Sequence, residues 1–257
     1  MKISNPLLSV NSRLTAFTFA GLAMAGGAAI LLGWLSEEVL EGDTSRFDEY
    51  VRGVVHASAS PRLTAIMWLF TNLGSVLVTT CLLGATLAIF LLYRWRAAAV
   101  TLLVTMAGSA VLEEALKLGF HRQRPAPYFG ISEPDSFSYP SGHALFSFAI
   151  FVTVAALLSA RLRSPWARAA VWSMAAILIL LIGLSRIYLG VHYPSDVAAG
   201  YLSASVWVLT VSLGNRLYGS PKTAAPVPEY NGRDRSCWDR VGRAITIGDV
   251  HLQGHYP

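Results

Sequence analysis

The chain has 257 residues, of which 54% are hydrophobic and only 14% are charged. A soluble domain usually carries about a quarter charged residues, and here the apolar residues come in long blocks, so the composition indicates a multi-pass membrane protein. The net charge of +5 does not indicate nucleic-acid binding, because the basic residues are scattered at the ends of apolar blocks. Cys81 lies in an apolar run and Cys237 in a polar tail, so we expect neither a disulfide nor a thiolate metal site.

The first apolar block, Leu14 to Leu35, contains no charged residue over 22 positions. This length suits a transmembrane helix, which needs about 20 apolar residues, and exceeds the apolar core of a signal peptide, which has about 7 to 15. We therefore expect an uncleaved first span. The mostly acidic segment that follows, Ser36 to Gly53, predicts a water-exposed loop with room for a short helix.

The next uncharged stretch, Leu63 to Tyr93, has 31 residues, too many for one untilted span of about 20. The sequence NLGS at Asn72 to Ser75 offers a break. We therefore predict a short interfacial helix over residues 62–72 and a second span over residues 74–93.

Four more apolar blocks predict four more spans: Ala97 to Lys117, Gly142 to Ala160, Trp166 to Ser185 and Pro194 to Asn215. The polar connection between the third and fourth spans contains prolines and glycines that exclude a continuous helix.

The predicted fold is therefore all-α, a polytopic membrane protein with six transmembrane helices plus a short interfacial helix. We expect a membrane domain over residues 1–217 and a polar cytoplasmic tail over residues 218–257. Six spans place both termini on one side of the membrane. Near the membrane, nine lysines and arginines lie on that side and seven on the other, and positive charge favours the cytoplasm. We expect a plasma (inner) membrane protein with cytoplasmic termini.

Ionisable and small polar residues from four helix ends converge on the opposite, outward face. They are Lys117 at the end of span three, Arg124 in the loop, Ser141, Gly142 and His143 at the start of span four, Arg186 at the end of span five, and His192 and Asp196 at the start of span six. Because these ends share one membrane side, we expect them to form one site.

The cations in this group indicate phosphate chemistry. Arg124 and Arg186 present planar forks that match phosphate oxygens, and Lys117 adds a point charge. Free backbone N–H groups at the start of span four favour an anion, and Gly142 lets it approach closely.

The two histidines supply the reacting groups. One can attack phosphorus as a neutral imidazole while the other protonates the leaving oxygen. Asp196 follows His192 by four residues and can hold one imidazole nitrogen, as in a triad. The sequence has no carboxylate cluster for magnesium, so we expect no metal or other cofactor and assign the stabilisation of charge to the cations.

Three segments resemble the signatures of the type 2 phosphatidic acid phosphatase superfamily. They are KLGFHRQRP (Lys117 to Pro125), PSGH (Pro140 to His143) and SRIYLGVHYPSD (Ser185 to Asp196), and they match every fixed position of the family pattern in order. The resemblance covers roughly residues 60 to 215 and implies six helices and a metal-independent phosphatase. Soluble vanadate-dependent haloperoxidases share these segments, but the apolar blocks argue against a soluble relative.

The resemblance also implies a role for each residue of the site. His192 is the nucleophile that forms a phosphohistidine, Asp196 supports it, and His143 is the acid for the leaving group. The phosphate is held by Lys117, Arg124, Ser141, Gly142 and Arg186.

The expected activity is hydrolysis of a lipid phosphate or diphosphate at the outer membrane face, with membrane lipids as surroundings. Undecaprenyl diphosphate, phosphatidylglycerophosphate, phosphatidic acid and lipid A phosphates all stay open as substrates. Transfer of the phosphoryl group to a second lipid uses the same first steps. An anion transporter and a non-catalytic lipid-binding protein are the alternatives from other classes, and the oligomeric state stays open.

Several polar residues near these segments are left outside the site. Glu113 and Glu114, near the end of span three, are expected to pair with a cation such as Lys117 or to face water. Three others are interpreted as structural or as flanking charges: Arg122, His121 and His56.

Overall fold

The computed structural model describes residues 6–132 and 135–218, and the regular secondary structure of these residues is entirely α-helical. The predicted all-α class is therefore confirmed. The eight helices are α1 (Pro6–Glu41), α2 (Ser45–Ala57), α3 (Pro61–Leu73), α4 (Val76–Leu92), α5 (Arg96–Phe120), α6 (Gly142–Ser159), α7 (Pro165–Tyr188) and α8 (Pro194–Tyr218). Most of the predicted tail and Cys237 lie outside the described residues.

Five of the described helices are long and apolar enough to cross a membrane: α1, α5, α6, α7 and α8. Helices α3 and α4 meet that criterion only together, with a bend of 51° at the break between them. Counting this bent pair as one span gives up to six spans among the described residues, whereas the prediction took residues 74–93 alone as the second span and residues 62–72 as an interfacial helix. The break falls at Gly74 and Ser75, as the NLGS segment predicted, and Ser75 caps α4 by accepting a hydrogen bond from Val78 N.

Serine–proline pairs fix the starts of two helices. Ser60 precedes Pro61 at the start of α3, and Ser164 precedes Pro165 at the start of α7. Each serine Oγ accepts a hydrogen bond from the backbone N–H three residues later, while proline occupies a position whose N–H has no partner in the helix. These caps explain why both helices begin where they do.

Several helices extend beyond the predicted apolar blocks. Helix α1 continues six residues past Leu35 to Glu41, and α7 continues three residues past Ser185 to Tyr188. The predictions followed hydropathy, but a helix does not end where its residues become polar, because its backbone hydrogen bonds do not depend on the bilayer. The extensions carry charged side chains past the apolar layer.

Helix α6 lies at the centre of the bundle. It packs against α5, α7 and α8, while α1 packs on α8 and α3 on α7. Its contacts with α5 and α8 form a core that includes Leu102, Leu145, Ile150 and Ala204. Because the first turn of α6 is surrounded by the ends of its neighbours, polar residues at those ends come together.

Helix α2 buries charged side chains and exposes apolar ones, which is the reverse of the usual orientation of a short helix. Its buried residues are Asp48 and Arg52, both charged, whereas Phe47, Tyr50 and Val54 are exposed. The sequence predicted a water-exposed loop here with room for a short helix. The helix is present, but two of its charged residues, Asp48 and Arg52, are buried against the protein, whereas Arg46 and Glu49 are exposed.

A close approach between α6 and α8 leads to a stability prediction. A Cβ on Gly200 would lie 2.7 Å from the Ser141 backbone oxygen and 3.0 Å from Ala144 Cβ. Because backbone cannot move aside cheaply, Gly200→Ala is expected to destabilise the protein by about 1–3 kcal/mol. Thermal unfolding in detergent measures this.

Gly214→Ala in the same helix is the matched control, because a Cβ there has no neighbour within 4 Å. Equal melting temperatures for the two variants would contradict the close packing of α6 on α8.

Candidate active site

The structure brings the predicted residues together at one end of the bundle. Lys117 lies near the end of α5, Arg186 near the end of α7, and Asp196 in the first turn of α8. His143, in the first turn of α6, interacts electrostatically with four side chains from other parts of the chain: Lys117, Arg124, Arg186 and His192. Segments far apart in the sequence therefore form one cluster.

His192 and Asp196 form a buried pair. Both residues are at most 1% exposed, and His192 Nδ1 lies 3.5 Å from Asp196 Oδ2. Ser138 Oγ lies between them, 3.4 Å from Nδ1, and donates a hydrogen bond of 2.5 Å to Asp196 Oδ2. The carboxylate therefore acts on the imidazole both directly and through a hydroxyl.

The contacts of His192 define its tautomer. Arg124 Nη1 lies 3.0 Å from His192 Nε2. A guanidinium can only donate hydrogen bonds, so Nε2 accepts and the proton of the neutral ring is on Nδ1, facing Ser138 and Asp196. This tautomer leaves the Nε2 lone pair directed toward Arg124, from which it accepts.

Burial lowers the pKa of His192 from 6.5 to about 4, since the charged ring loses its hydration. The cations Arg186 and Arg124 act in the same direction, while Asp196 opposes them. The imidazole is therefore neutral at neutral pH, which is the state that a nucleophile needs.

Arg124 is held in place by backbone and side-chain acceptors. Its Nε donates to Ser136 O at 2.6 Å, its Nη2 donates to Ser136 Oγ at 2.9 Å, and its Nη1 donates to Val191 O at 3.0 Å. The loop between α5 and α6 thus folds around the guanidinium and fixes it beside His192.

Two buried polar atoms in this cluster have no hydrogen-bond partner among the described residues: Ser141 Oγ and Arg186 Nε. Unpaired buried donors are costly and usually indicate a ligand or ordered water. Arg186 Nη1 donates to Thr71 Oγ1 on α3. This hydrogen bond fixes the position of the guanidinium and therefore of its unpaired Nε. Both residues are among those predicted to hold phosphate.

Lys117 forms an ion pair with Glu113, with Nζ and Oε1 2.6 Å apart. The predicted pairing of this glutamate with a span-end cation is therefore observed. A Cβ on Gly142 would lie 2.3 Å from the same Glu113 oxygen, so the ion pair touches the first turn of α6. The absence of a side chain at Gly142 makes room for this contact.

Arg122 was interpreted as a flanking charge, but the structure places it against the site. Its Nη1 donates to Asp196 Oδ1 at 2.6 Å, and its Nη2 donates to Asp48 Oδ2 at 2.8 Å. Burial alone would lower the pKa of Arg122, but Asp196 and Asp48 outweigh it and raise the pKa above its usual range. Arg122 occupies a variable position of the first signature segment, so the spacing of the motif gave no signal for it.

The two histidines left outside the site lie against aromatic rings. His56 stacks on Tyr128 at 3.8 Å, and His121 makes an edge contact with Phe137 at 4.6 Å, both distances between ring centroids. Within residues 6–132 and 135–218, no group of three His, Cys, Asp or Glu side chains is arranged to hold a metal ion.

Comparison with known proteins shows which family part of the chain is similar to. Residues 98–217 match the model of the PAP2 superfamily, the family whose three signature segments the sequence resembles. The matched segment is slightly less than half of the chain. It begins in α5 and ends in α8, so it contains every predicted site residue.

The chain is similar to two phosphatases of known name. The chain is 34% identical over 134 residues to an undecaprenyl-diphosphatase of Sulfolobus acidocaldarius, covering 50% of this chain and 60% of the relative. It is 28% identical over 160 residues to phosphatidylglycerophosphatase B of Bacillus subtilis, covering 60% of this chain and 76% of the relative.

A solved structure supports the fold. The crystal structure of a transmembrane PAP2-type phosphatidylglycerolphosphate phosphatase from Bacillus subtilis superposes with a TM-score of 0.69 at 24% identity, covering 76% of this chain and 97% of that one. Together with the five long apolar helices, the likeness supports a multi-pass membrane protein.

The lowered pKa of His192 leads to a titration prediction. NMR of protein labelled at histidine should show His192 neutral down to about pH 5 and half-protonated near pH 4. Because the unfolded chain has the higher pKa, it binds more protons between these pKa values, so the contribution to stability is lost as the pH falls from 6.5 toward about 4. A His192→Ala variant assigns the signal, and a midpoint near 6.5 would contradict the burial of this ring.

Proposed function

We propose that this protein is a metal-independent phosphatase that hydrolyses a lipid phosphate or diphosphate through a phosphohistidine on His192. The observation that carries the proposal is the orientation of this ring. Its Nδ1 faces Ser138 and Asp196, and its Nε2 faces the cationic side at 3.0 Å from Arg124 Nη1. A base held in this way is a nucleophile directed at an anion.

In the first half of the reaction, a phosphate oxygen takes over the Arg124 Nη1 hydrogen bond from His192 Nε2, and the freed Nε2 lone pair attacks phosphorus. The bond from phosphorus to the leaving oxygen breaks, and its electron pair goes to that oxygen. His143, which takes up a proton when the bound phosphate anion offsets the surrounding cations, supplies that proton to the leaving oxygen. The imidazole becomes positively charged as the N–P bond forms, while its Nδ1–H stays directed toward Asp196 and Ser138. The buried carboxylate stabilises that charge.

In the second half, a water molecule replaces the leaving group. His143, now neutral, takes a proton from the water as its oxygen attacks phosphorus. The N–P bond breaks, and its electron pair returns to Nε2. Inorganic phosphate leaves, and both histidines regain their starting states.

The cations supply the charge stabilisation that a metal provides in other phosphoryl-transfer enzymes. Arg124 and Arg186 are both rigidly held, by the α5–α6 loop and by Thr71. The unpaired Ser141 Oγ and Arg186 Nε would donate to phosphate oxygens, and Lys117, which is paired with Glu113, would add a third donor at the end of α5.

An apolar groove beside the cluster supports a lipid as substrate. The groove, of about 320 Å³, runs between α4, α5 and α6 and is lined by residues that include Thr79, Met106, Ala110 and Phe146. It lies near the site, because its lining includes Phe146, three residues after His143 in α6. A headgroup phosphate among the cations would leave its hydrocarbon chain in this groove.

The relatives support the same class, since their names describe phosphatases of a prenyl diphosphate and of a phosphatidylglycerophosphate. We place the site at the outer or periplasmic face of the plasma membrane, with cytoplasmic termini, on the distribution of lysine and arginine.

The roles of His192 and His143 can be distinguished by how the loss of activity in each variant depends on the leaving group of the substrate. His192→Ala is expected to abolish phosphate release from both phosphatidic acid and p-nitrophenyl phosphate, because every substrate needs the nucleophile. His143→Ala should cost about 100- to 10,000-fold with phosphatidic acid, whose alkoxide must be protonated, and clearly less with p-nitrophenyl phosphate. Phosphate release is measured in detergent with EDTA present.

His56→Ala is the matched control, because this histidine stacks on Tyr128 outside the cluster. Equal losses of His143→Ala on the two substrates would show that His143 does not protonate the leaving group, and normal turnover of His192→Ala would refute the proposed nucleophile.

A further inference from the structure

We propose that Arg122 and Asp48 are positioning residues that hold the Asp196 carboxylate and set the net charge behind His192. The inference rests on the proposed function only where it concerns turnover, because its effect on the His192 ring is measurable without catalysis. Neither residue is at a fixed position of the three signature segments. Asp48 also lies on α2, outside the residues that match the family model.

Arg122 bridges two carboxylates that are both fully buried. Asp48 and Asp196 are each 0% exposed, and the guanidinium donates to both. Ser195 completes the network, since its N–H and Oγ–H donate to the two oxygens of Asp48 at 3.0 Å and 2.6 Å. Arg122 Nη1 also donates to Ser195 Oγ at 2.7 Å. Helix α2, the α5–α6 loop and the start of α8 are thus joined through one side chain.

This network fixes the orientation of Asp196. Its Oδ1 accepts from Arg122, while Oδ2 accepts from Ser138 Oγ and from the Tyr193 backbone N–H at 2.9 Å. A carboxylate with both oxygens held cannot rotate about its terminal bond. The oxygen that faces His192 Nδ1 is therefore defined before any substrate binds, as a preorganised site requires.

The second carboxylate explains how Asp196 keeps its electrostatic effect. Arg122 alone would neutralise Asp196 and so weaken its attraction for a positive imidazole ring. With Asp48 present, the three side chains carry one net negative charge. That charge lies behind Nδ1, on the side of the ring away from the cations, and stabilises the positive charge that forms when Nε2 is phosphorylated.

The orientation of α2 supports this role. In a short helix, charged residues usually face water, yet the buried residues of α2 are Asp48 and Arg52. Arg52 donates to the Ala126 backbone oxygen at 2.9 Å and lies over the Tyr193 ring at 5.3 Å from its centroid. The helix is therefore anchored to the site by the charged contacts of Asp48 and Arg52.

The competing interpretation is that Arg122 and the two carboxylates form a buried ion pair with a purely structural role. The titration midpoint of His192 distinguishes the two interpretations. Four groups face this ring from the surrounding elements: Asp196 on α8, Arg186 on α7, His143 on α6 and Arg124 in the α5–α6 loop. None of them changes when Asp48 is replaced by asparagine, which keeps the size of the side chain.

Asp48→Asn is therefore expected to lower the NMR titration midpoint of His192 by about one pH unit, because one negative charge behind the ring is lost. Adding Arg122→Gln to this variant should raise the midpoint again, to within about 0.3 units of the wild-type value, because Asp196 is then left with its own full charge. Asp43→Asn, at an exposed carboxylate just before α2, is the matched control and should leave the midpoint unchanged.

Turnover of phosphatidic acid in detergent micelles gives the second readout. Asp48→Asn and the double variant should each lower kcat by about tenfold, the first through lost charge and the second through lost orientation, while KM stays within about twofold because the phosphate-holding residues are untouched. If Asp48→Asn does not fold, the double variant tests the orientation by the same split between kcat and KM.

Two outcomes would overturn the inference: an unchanged His192 midpoint in Asp48→Asn, or a further fall of the midpoint when Arg122→Gln is added. These outcomes are independent of the proposed function. That function fails if the wild-type protein releases no phosphate or if His192→Ala remains active, whereas the titration shifts are read in either case.

Discussion

A buried carboxylate must be paired, and the architecture of this site follows from that constraint at Asp196. Asp196 is 0% exposed at the start of α8 and receives hydrogen bonds from Arg122, Ser138 and the Tyr193 backbone N–H. Its own backbone oxygen accepts from Ser141 N at the start of α6. Leaving such a charge unpaired costs several kcal/mol, so the elements that supply these partners are held together around it.

The same constraint separates the charges of the site into two sides. Asp196 and its partners lie behind His192 Nδ1, and Arg124 lies in front of Nε2. An imidazole between a carboxylate and cations keeps one tautomer and stays neutral, because burial lowers the pKa of His192 to about 4. In the proposed mechanism, this neutral imidazole is the nucleophile.

The sequence was sufficient to predict the residues whose positions follow from helix ends. Lys117, His143, Arg186 and Asp196 lie at span boundaries on one side, so their convergence required only the number of spans and the signature spacing. Asp48 could not be predicted in this way. It comes from an acidic segment typical of a water-exposed loop, and its partner Ser195 lies 147 positions away. Such a contact depends on how α2 is oriented, and neither hydropathy nor motif spacing contains that information.

If His192 Nε2 forms a covalent bond to phosphorus, the phosphohistidine can be trapped and located in the chain. Wild-type protein is mixed with phosphatidic acid that carries a radioactive phosphate and is quenched in alkali, in which phosphohistidine survives. We expect the label on Nε2 of His192, in the peptide that contains this residue, and no label in the His192→Ala variant. Release of phosphate by the wild-type protein with no labelled peptide, or with the label on His143, would contradict it.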